Sequence, residues 1–335
     1  MQRLIHKLKI DRKKLILVLC FLVVFGVGGI VGVFGFKYLS ACKVKYSYIN
    51  SSLGCSPNTD FDKSNPIVLK DKLMSFINSE QKSGDINEVS VYFRDLNDGP
   101  TLGINEDDLF ISASLLKLPI ALTFYKLSEE EIPDILSQKL GFQITGGKDE
   151  LVQFFKPSKS VDPNSTYTVS DLTFYSLAYS DNLSNDVLRT YLGTLGSKLD
   201  LLLRTFKELG LVEPASITAL DISTRAYASI FRQLYNASYL SNEDSEKILS
   251  ILAQSEFDLG IVGGVPKGVV IANKFGERDL GKEKQLHDCG IVYYPGNPYL
   301  ICVMTRGTDY GKLADVIKEI SSIVYKEMDS RAKAK

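Results

Sequence analysis

The sequence predicts an α+β fold, in which an antiparallel sheet built from both chain ends is flanked by helices and joined to an all-helical lobe. Two observations predict it. Alternating apolar segments that favour strands occur before residue 105 and after residue 268, whereas apolar residues at helical spacing dominate 115–255. A cleft between a sheet and such a lobe is a natural place for a functional site.

The first elements of the folded part are a helix and a hairpin. Apolar spacing predicts a helix over 66–79, and two strand segments, 89–93 and 101–104, flank Asn-Asp-Gly at 97–99. A turn of this composition between apolar strands is a strong hairpin signal. The hairpin therefore supplies the N-terminal part of the sheet.

The remaining strands lie near the C-terminus. Strand character is predicted at 269–274, 290–294 and 299–304, and a final amphipathic helix over 313–328. The helical lobe is predicted to cover about 118–255, so the chain returns to the sheet after the lobe is complete.

An uninterrupted apolar run at 15–36 predicts a single transmembrane helix, because it is long enough to cross a hydrocarbon core of about 30 Å. More Lys and Arg residues precede the run than follow it closely, which predicts a cytoplasmic tail at 1–14 and an extracytoplasmic remainder. Residues 37–65 are interpreted as a stalk and 66–330 as the folded domain. A cleaved signal peptide is the alternative, although its apolar core usually has only about 7–15 residues.

Composition excludes several classes of function. A net charge of −1 provides no basic field for a phosphate backbone, so nucleic acid is not an expected partner. The two histidines, His6 and His287, lie on opposite sides of the apolar run, which argues against a zinc centre and a Ser–His–Asp triad. We therefore expect no metal and no cofactor. His287 is interpreted as structural, with a position in the cleft as the alternative.

The five cysteines fall into three groups. Cys20 lies in the apolar run. Cys42 and Cys55 lie just beyond it, where an oxidising compartment would let them pair, and a lipoprotein cleavage box ending at Cys42 is the alternative. Cys289 and Cys302 lie in apolar strand patterns and are predicted to be buried thiols rather than a bridge.

Ser114 and Lys117 are three residues apart in Ser-Leu-Leu-Lys. Ser112 is the predicted N-cap, which places both side chains on one face of the first turn of a helix. A serine needs an adjacent base to act as a nucleophile, and a lysine can be that base where desolvation or a nearby cation lowers its pKa. We predict Ser114 as the nucleophile, Lys117 as its base and a local kink at Pro119.

Two further motifs follow in the chain. Ser-Asp-Asn at 180–182 stands at a break between predicted helices 171–179 and 185–192. Lys-Phe-Gly at 274–276 stands at the end of a predicted strand, where a glycine lets a ligand approach the backbone. Each motif is weak alone, but the three in this order indicate one site.

The three motifs resemble the signature of the class A β-lactamases and the related penicillin-binding D-alanyl-D-alanine peptidases, which is Ser-x-x-Lys, Ser-Asp-Asn and Lys-Thr-Gly. The resemblance covers about residues 66–330. It implies a serine hydrolase that is acylated by β-lactams or peptidoglycan peptides. It assigns catalytic roles to Ser114, Lys117, Ser180 and Lys274. It assigns substrate binding to Asn182, Gly276 and Glu277.

The resemblance implies a role for each of these groups. The Lys117 amine accepts the proton of Ser114, and Ser180 relays a proton to the leaving nitrogen. Asn182 holds the substrate amide and the Lys117 side chain. Lys274 keeps the Lys117 pKa low and attracts a substrate carboxylate, and the backbone N–H groups of Ser114 and Glu277 form the oxyanion hole.

The sequence departs from the family pattern at two places. Phe275 replaces a Thr or Ser whose hydroxyl helps bind the substrate carboxylate, and Arg278 or Arg306 is a candidate to compensate. The stretch 210–224 is short and lacks the Glu-x-x-x-Asn pattern that positions a hydrolytic water. Glu213 in this stretch is interpreted as an exposed loop acid, with a general base as the alternative. We therefore expect acylation followed by slow turnover of β-lactams.

Two other functions are also compatible with the sequence. The first is a non-catalytic protein that binds cell-wall peptides on the same fold, with the carboxylate site closed by Phe275. The second is an amidase or esterase that uses the same Ser–Lys pair on a different acyl group. An apolar acyl chain beside Phe275 would fit the second.

Overall fold

A computed structural model of the protein describes residues 12–39, 46–51, 53, 66–97, 99–142, 153–196, 198–211 and 221–334. Cys42, Cys55 and Glu213 lie outside the described residues, so the interpretations made for them stay predictions. The chain divides into two compact units, the first of which contains helix α1 (Arg12–Leu39). The second contains every described element from residue 66 onward.

Helix α1 covers the apolar run for which a transmembrane helix is predicted. Among the residues that the structure describes, no helix is both long and apolar enough to cross a membrane. The side chains at positions 15, 30 and 33–36 of the run lie outside the described part. The span over 15–36 therefore stays a prediction.

The strands of the second unit fall into one large sheet and two short pairs. In chain order they are β1 Ile86–Asp95, β2 Thr101–Ile104, β3 Phe110–Ile111, β4 Lys139–Leu140, β5 Tyr167–Thr168, β6 Asp221–Ile222, β7 Ile271–Asp279, β8 Lys284–Val292 and β9 Tyr299–Gly307. The large sheet is antiparallel throughout, with the strand order β2–β1–β9–β8–β7. Because β1 pairs with β9, the sheet is built from both ends of the chain, as predicted.

The helices of the second unit flank this sheet. They are α2 Ile67–Ser83, α3 Lys117–Glu130, α4 Val169–Ala178, α5 Asn182–Thr194, α6 Lys198–Glu208, α7 Thr224–Tyr235, α8 Asn242–Leu252 and α9 Tyr310–Ala334. The predicted helical region contains α3 to α8, but it also contains the short strands β4 to β6 and a non-helical stretch at 153–166.

The two faces of the sheet have separate hydrophobic cores. In β9, Ile301 and Val303 pack in a cluster with the apolar residues of α2 and α9. Leu300 and Met304 belong to the other cluster, which is formed mainly by the helical lobe. Alternation of side chains along a strand produces this division. The sheet is therefore covered on both faces, and β7 is left at one edge.

Cys289 on β8 lies opposite Cys302 on β9, and the two form a disulfide bond. The prediction of two buried thiols was wrong. Both cysteines are buried, as their apolar surroundings suggested, but that pattern does not specify which residue stands opposite on the next strand.

Two local predictions are also corrected. Helix α3 begins at Lys117, so Pro119 lies in the first turn, where its missing N–H has no partner to lose and no kink is needed. The residues 274–276 lie within β7, which continues to Asp279, rather than at the end of a strand.

Candidate active site

Ser114 lies in a short 3₁₀ helix, 113–116, that leads directly into α3. Ala113 has a φ of 47°, in the left-handed region that residues with a Cβ rarely occupy. The Lys117 N–H donates to the Ser114 carbonyl oxygen, so both residues share one turn, as predicted. Ser112 is the N-cap residue, as predicted, but its side chain makes no capping hydrogen bond.

The Lys117 amine is buried and points at the turn between α4 and α5. Its Nζ donates to the Ser180 carbonyl, to the Ser180 hydroxyl at 3.1 Å and to Asn182 Oδ1 at 2.7 Å. Among the described residues, no hydrogen bond joins this amine to the Ser114 hydroxyl. Burial lowers the pKa of Lys117 to about 7, although the Asp181 charge opposes this shift. A neutral amine is therefore available near pH 7.

Ser180 is held in a tight turn that precedes α5. Its φ is 52°, and the Asp181 carboxylate caps the helix by accepting the Ser184 N–H at 2.9 Å. The Ser160 hydroxyl donates a further bond to Asp181 at 2.7 Å. This turn directs both the carbonyl and the hydroxyl of Ser180 toward Lys117. Strained backbone of this kind is common at functional sites.

Lys274 approaches the same hydroxyl from β7. Its fully buried Nζ donates to Ser180 Oγ at 2.8 Å and to the Phe275 carbonyl at 2.7 Å. Burial, and then the charge of Lys117, lower the pKa of Lys274 well below its usual value. Because two charged amines on one buried hydroxyl repel each other, the charge of either amine favours the neutral form of the other.

Strand β7 passes against the 3₁₀ helix at Gly276. A Cβ at this position would stand 3.0 Å from the Leu115 nitrogen and 3.2 Å from the Ser112 carbonyl oxygen. Leu115 is fixed in turn by the Tyr227 hydroxyl, which donates to its carbonyl at 2.9 Å. The glycine therefore allows the sheet edge to lie directly beside the turn that carries Ser114.

The Phe275 ring belongs to a buried aromatic cluster. It stacks on Phe257 with ring centroids 4.2 Å apart and planes 16° apart, and Phe155 meets it edge-on at 6.2 Å. Lys274 Nζ lies 4.6 Å from the centroid of the Phe275 ring, within cation–π range. The ring offers the amine an electron-rich face but no hydrogen-bond donor to a ligand.

Sequence reasoning missed the Glu277 carboxylate and the segment 153–155. Glu277 Oε1 accepts the Phe154 N–H at 2.9 Å and the Phe155 N–H at 3.3 Å. Gln153 Nε2 donates to the Ser180 carbonyl at 3.1 Å. The segment thus links the helical lobe to β7 across the cleft. Burial raises the pKa of Glu277, and the hydrogen bonds from the Phe155 and Phe154 N–H groups partly offset this rise.

A family profile described as the β-lactamase enzyme family matches residues 69–328, well over half of the chain. The chain belongs to this β-lactamase family. It is 26% identical over 245 residues to β-lactamase VEB-1 of Pseudomonas aeruginosa, a match that covers 69% of this chain and 80% of that protein. The protein is accordingly a serine hydrolase of the β-lactamase type.

Solved structures of other β-lactamase-like proteins have the same fold. A mutant of PBP-A in an acyl-enzyme complex with penicillin G is 23% identical, has a TM-score of 0.64 and is matched over 97% of its length and 78% of this chain. A class A β-lactamase from Mycobacterium abscessus is also 23% identical, with a TM-score of 0.63 over 99% of that chain and 78% of this one.

In this β-lactamase-family enzyme, hydrogen bonds bring together four of the residues that the motifs single out, namely Lys117, Ser180, Asn182 and Lys274. Ser114 lies next to these residues because it shares a turn with Lys117. Gly276 lies next to them because β7 packs against that turn at this glycine. The catalytic and binding roles assigned to these residues stay predictions.

His287 of the β-lactamase-like domain is buried between strands and lies outside this group of hydrogen-bonded side chains. Its Nε2 pairs with the Ile111 carbonyl at 3.1 Å, and its ring meets Phe110 edge-on at 5.5 Å. Burial lowers its pKa to about 3, so it is neutral at physiological pH. Within the described ranges, no three His, Cys, Asp or Glu side chains come close enough together to hold a metal ion.

The two arginines considered as replacements for the lost hydroxyl lie elsewhere. Arg306 pairs with Glu88 and with Glu283, and its guanidinium lies 5.0 Å from the centre of the Phe110 ring. Arg278 is exposed and lines a cavity of about 420 Å³ together with Arg306 and Glu283. Because four residues of extended strand span about 13 Å, the Cα atoms of Arg278 and Lys274 are well separated.

Proposed function

We propose that the protein forms an acyl-enzyme at Ser114 with β-lactams or with peptidoglycan peptides of the D-alanyl type. The observation that carries the proposal is the Ser180 hydroxyl, which lies 3.1 Å from the Lys117 amine and 2.8 Å from the Lys274 amine. Since burial lowers the pKa of both amines, protons can move through this hydroxyl near neutral pH. The names of the relatives, a β-lactamase and a penicillin acyl-enzyme, support the substrate class.

In the proposed acylation, the Ser114 oxygen bonds to the substrate carbonyl carbon while its proton passes to the neutral Lys117 amine. The C–N bond then breaks, and the leaving nitrogen takes that proton through the Ser180 hydroxyl. The backbone N–H groups of Ser114 and Glu277 stabilise the oxyanion, and Asn182 binds the substrate amide. The contact between the amine and the nucleophile is expected to form in the substrate complex, since catalytic hydrogen bonds often tighten there.

Hydrolysis of this acyl-enzyme is proposed to be slow. The stretch 210–224 lacks the family pattern for positioning a water, and Glu213 lies outside the described residues. In the described part of the cleft, the Glu277 carboxylate stands near both amines, but it already accepts two backbone N–H bonds. A carboxylate engaged in this way is a poor base for activating water.

We further propose that 15–36 anchors the protein in the cell membrane, with 1–14 in the cytoplasm and the hydrolase domain outside. Apolar side chains of α1 such as Leu17, Phe21 and Phe25 are 70%, 71% and 76% exposed. Exposed apolar surface of this kind is unfavourable in water and suits a lipid environment. Protease added to spheroplasts of bacteria that express the full chain should digest the domain, and complete protection of the domain would contradict this topology.

Intact-mass analysis of the full-length protein in detergent tests the proposed function. After incubation with penicillin G, the protein should gain the mass of one penicillin and keep it for many minutes, with the adduct in the peptide that contains Ser114. Steady hydrolysis of nitrocefin without an accumulating adduct would contradict slow deacylation. No adduct on a folded protein would instead favour the non-catalytic peptide-binding function.

An amidase or esterase with a different acyl substrate is the second candidate. The packing of Phe275 on Phe257 favours it, because an aromatic cluster replaces a polar group beside the Lys274 amine. Esters or amides with an apolar acyl chain would be its substrates, and the same mass analysis with activated esters tests it.

A further inference from the structure

The preference of the cleft for the group that a substrate carries next to its scissile bond rests on the proposed acyl-enzyme at Ser114. Penicillins and D-alanyl-D-alanine peptides carry a carboxylate there. A cleft that binds such a carboxylate needs a free cationic N–H or hydroxyl donor at that place.

Neither amine has such a donor left. A charged lysine has three N–H bonds. Those of Lys274 are used by the Ser180 hydroxyl, by the Phe275 carbonyl and by the face of the Phe275 ring. The Lys117 amine, which has only two N–H bonds in its neutral form, already has three hydrogen-bond partners, namely the Ser180 carbonyl, the Ser180 hydroxyl and Asn182 Oδ1.

The Phe275 ring is also unable to move aside easily. Its side chain is 4% exposed and lies between the ring of Phe257 and the edge of Phe155. Tyr310 packs against Phe155 at 5.8 Å and extends the cluster. Freeing the Lys274 amine for a ligand would require this aromatic packing to open.

The Glu277 carboxylate places a negative charge close to the same two amines. Its carboxylate is held by the N–H groups of Phe154 and Phe155, and it interacts electrostatically with both Lys117 and Lys274. A second carboxylate brought to these amines would be repelled by the first, since like charges in a partly desolvated site are costly.

The neighbouring strand places no cation opposite Lys274. Cys289 stands opposite Lys274 in β8, and its sulfur is bonded to Cys302. The two arginines considered above, Arg278 and Arg306, line the cavity at the C-terminal end of β7.

From these contacts we infer that the cleft is acylated faster by donors whose leaving group carries an uncharged group beside the scissile bond, such as a carboxamide or an ester, than by the matching carboxylates, to which penicillins belong. Phe275 and Glu277 are the specificity-determining residues. Phe275 occupies the remaining donor of Lys274, and Glu277 repels an incoming anion.

Two thioesters that differ in one group test the inference. N-benzoyl-D-alanyl thioglycolate carries a carboxylate, and the matching thioglycolamide carries a carboxamide. In both, the Ser114 oxygen bonds to the carbonyl carbon, the C–S bond breaks and the released thiol takes the proton. The full-length enzyme should cleave the thioglycolamide with a kcat/KM at least about tenfold higher, as expected when a charged group loses its partner.

Matched variants identify the residues responsible. Glu277→Gln keeps an oxygen acceptor for the two N–H groups and removes the charge, so the preference for the thioglycolamide should fall severalfold, and Phe275→Thr should lower it further. Asp279→Asn is the control, because this carboxylate lies on the same side of β7 but is exposed and bonded to Gly281 and Lys284.

The outcomes separate the inference from the proposed function. Equal rates for the two thioesters, a preference for the carboxylate, or a Glu277→Gln variant with an unchanged preference would overturn the inference alone. Thiol release no faster than in a Ser114→Ala variant would overturn the acyl-enzyme at Ser114, and the inference with it.

Discussion

Ser114→Ala is expected to abolish the covalent penicillin adduct and to lower kcat/KM for thioester cleavage by roughly 10⁴-fold or more, as is usual for a lost nucleophile. The reason is local, since Ser114 is the hydroxyl in the same turn as the buried Lys117 amine. Intact mass measures the adduct, and thiol release measures the rate.

Ser128→Ala is the matched control for this substitution. Ser128 lies in α3 as well, but near its C-terminal end, where its hydroxyl donates to the Pro133 carbonyl at 3.1 Å. Its removal should leave adduct formation unchanged. An adduct that persists in Ser114→Ala would mean that another hydroxyl, such as that of Ser180, is the nucleophile.

Lys117→Met should lower the acylation rate by roughly 10²–10⁴-fold, the usual contribution of a general base. The substitution keeps the length and apolar packing of the side chain and removes the amine. In the unchanged protein, the acylation rate constant should rise with pH and reach half of its plateau near pH 7. The sign follows from Lys117, whose amine accepts a proton only above its lowered pKa of about 7.

Lys126→Met provides the comparison for the pH profile. Lys126 is in the same helix, and its amine pairs with Glu130 at 2.8 Å, away from the amines of the cleft. This variant should keep both the rate and the midpoint near pH 7. If Lys117→Met kept that midpoint instead, a group other than Lys117 would be the base.

Much of the fold could be predicted because its elements have clear periodicity. The hairpin of β1 and β2 and the pair of C-terminal strands are marked by alternation and turn residues, which act locally. The disulfide between Cys289 and Cys302 could not be predicted in this way, because strand register depends on long-range pairing.

The candidate site could likewise be predicted only in part from the sequence. Lys117, Ser180 and Lys274 stand in motifs whose residue types carry chemistry, so they could be recognised without coordinates. The role of Glu277 depends on β7 extending beyond its motif and on two backbone N–H groups of the segment 153–155. Since nearly every residue has a backbone N–H, hydrogen-bond partners of this kind leave no signal in the sequence.

The pairing of β1 with β9 has a consequence for how the protein is made. The hairpin of β1 and β2 has to wait for a partner that is synthesised more than 200 residues later, since Val91 stands opposite Val303. Contacts that are so distant in sequence slow folding and leave strand edges exposed in the interval. During synthesis the early hairpin therefore depends on chaperones or on its own charged residues for protection, and a chain truncated before β9 should aggregate rather than fold in part.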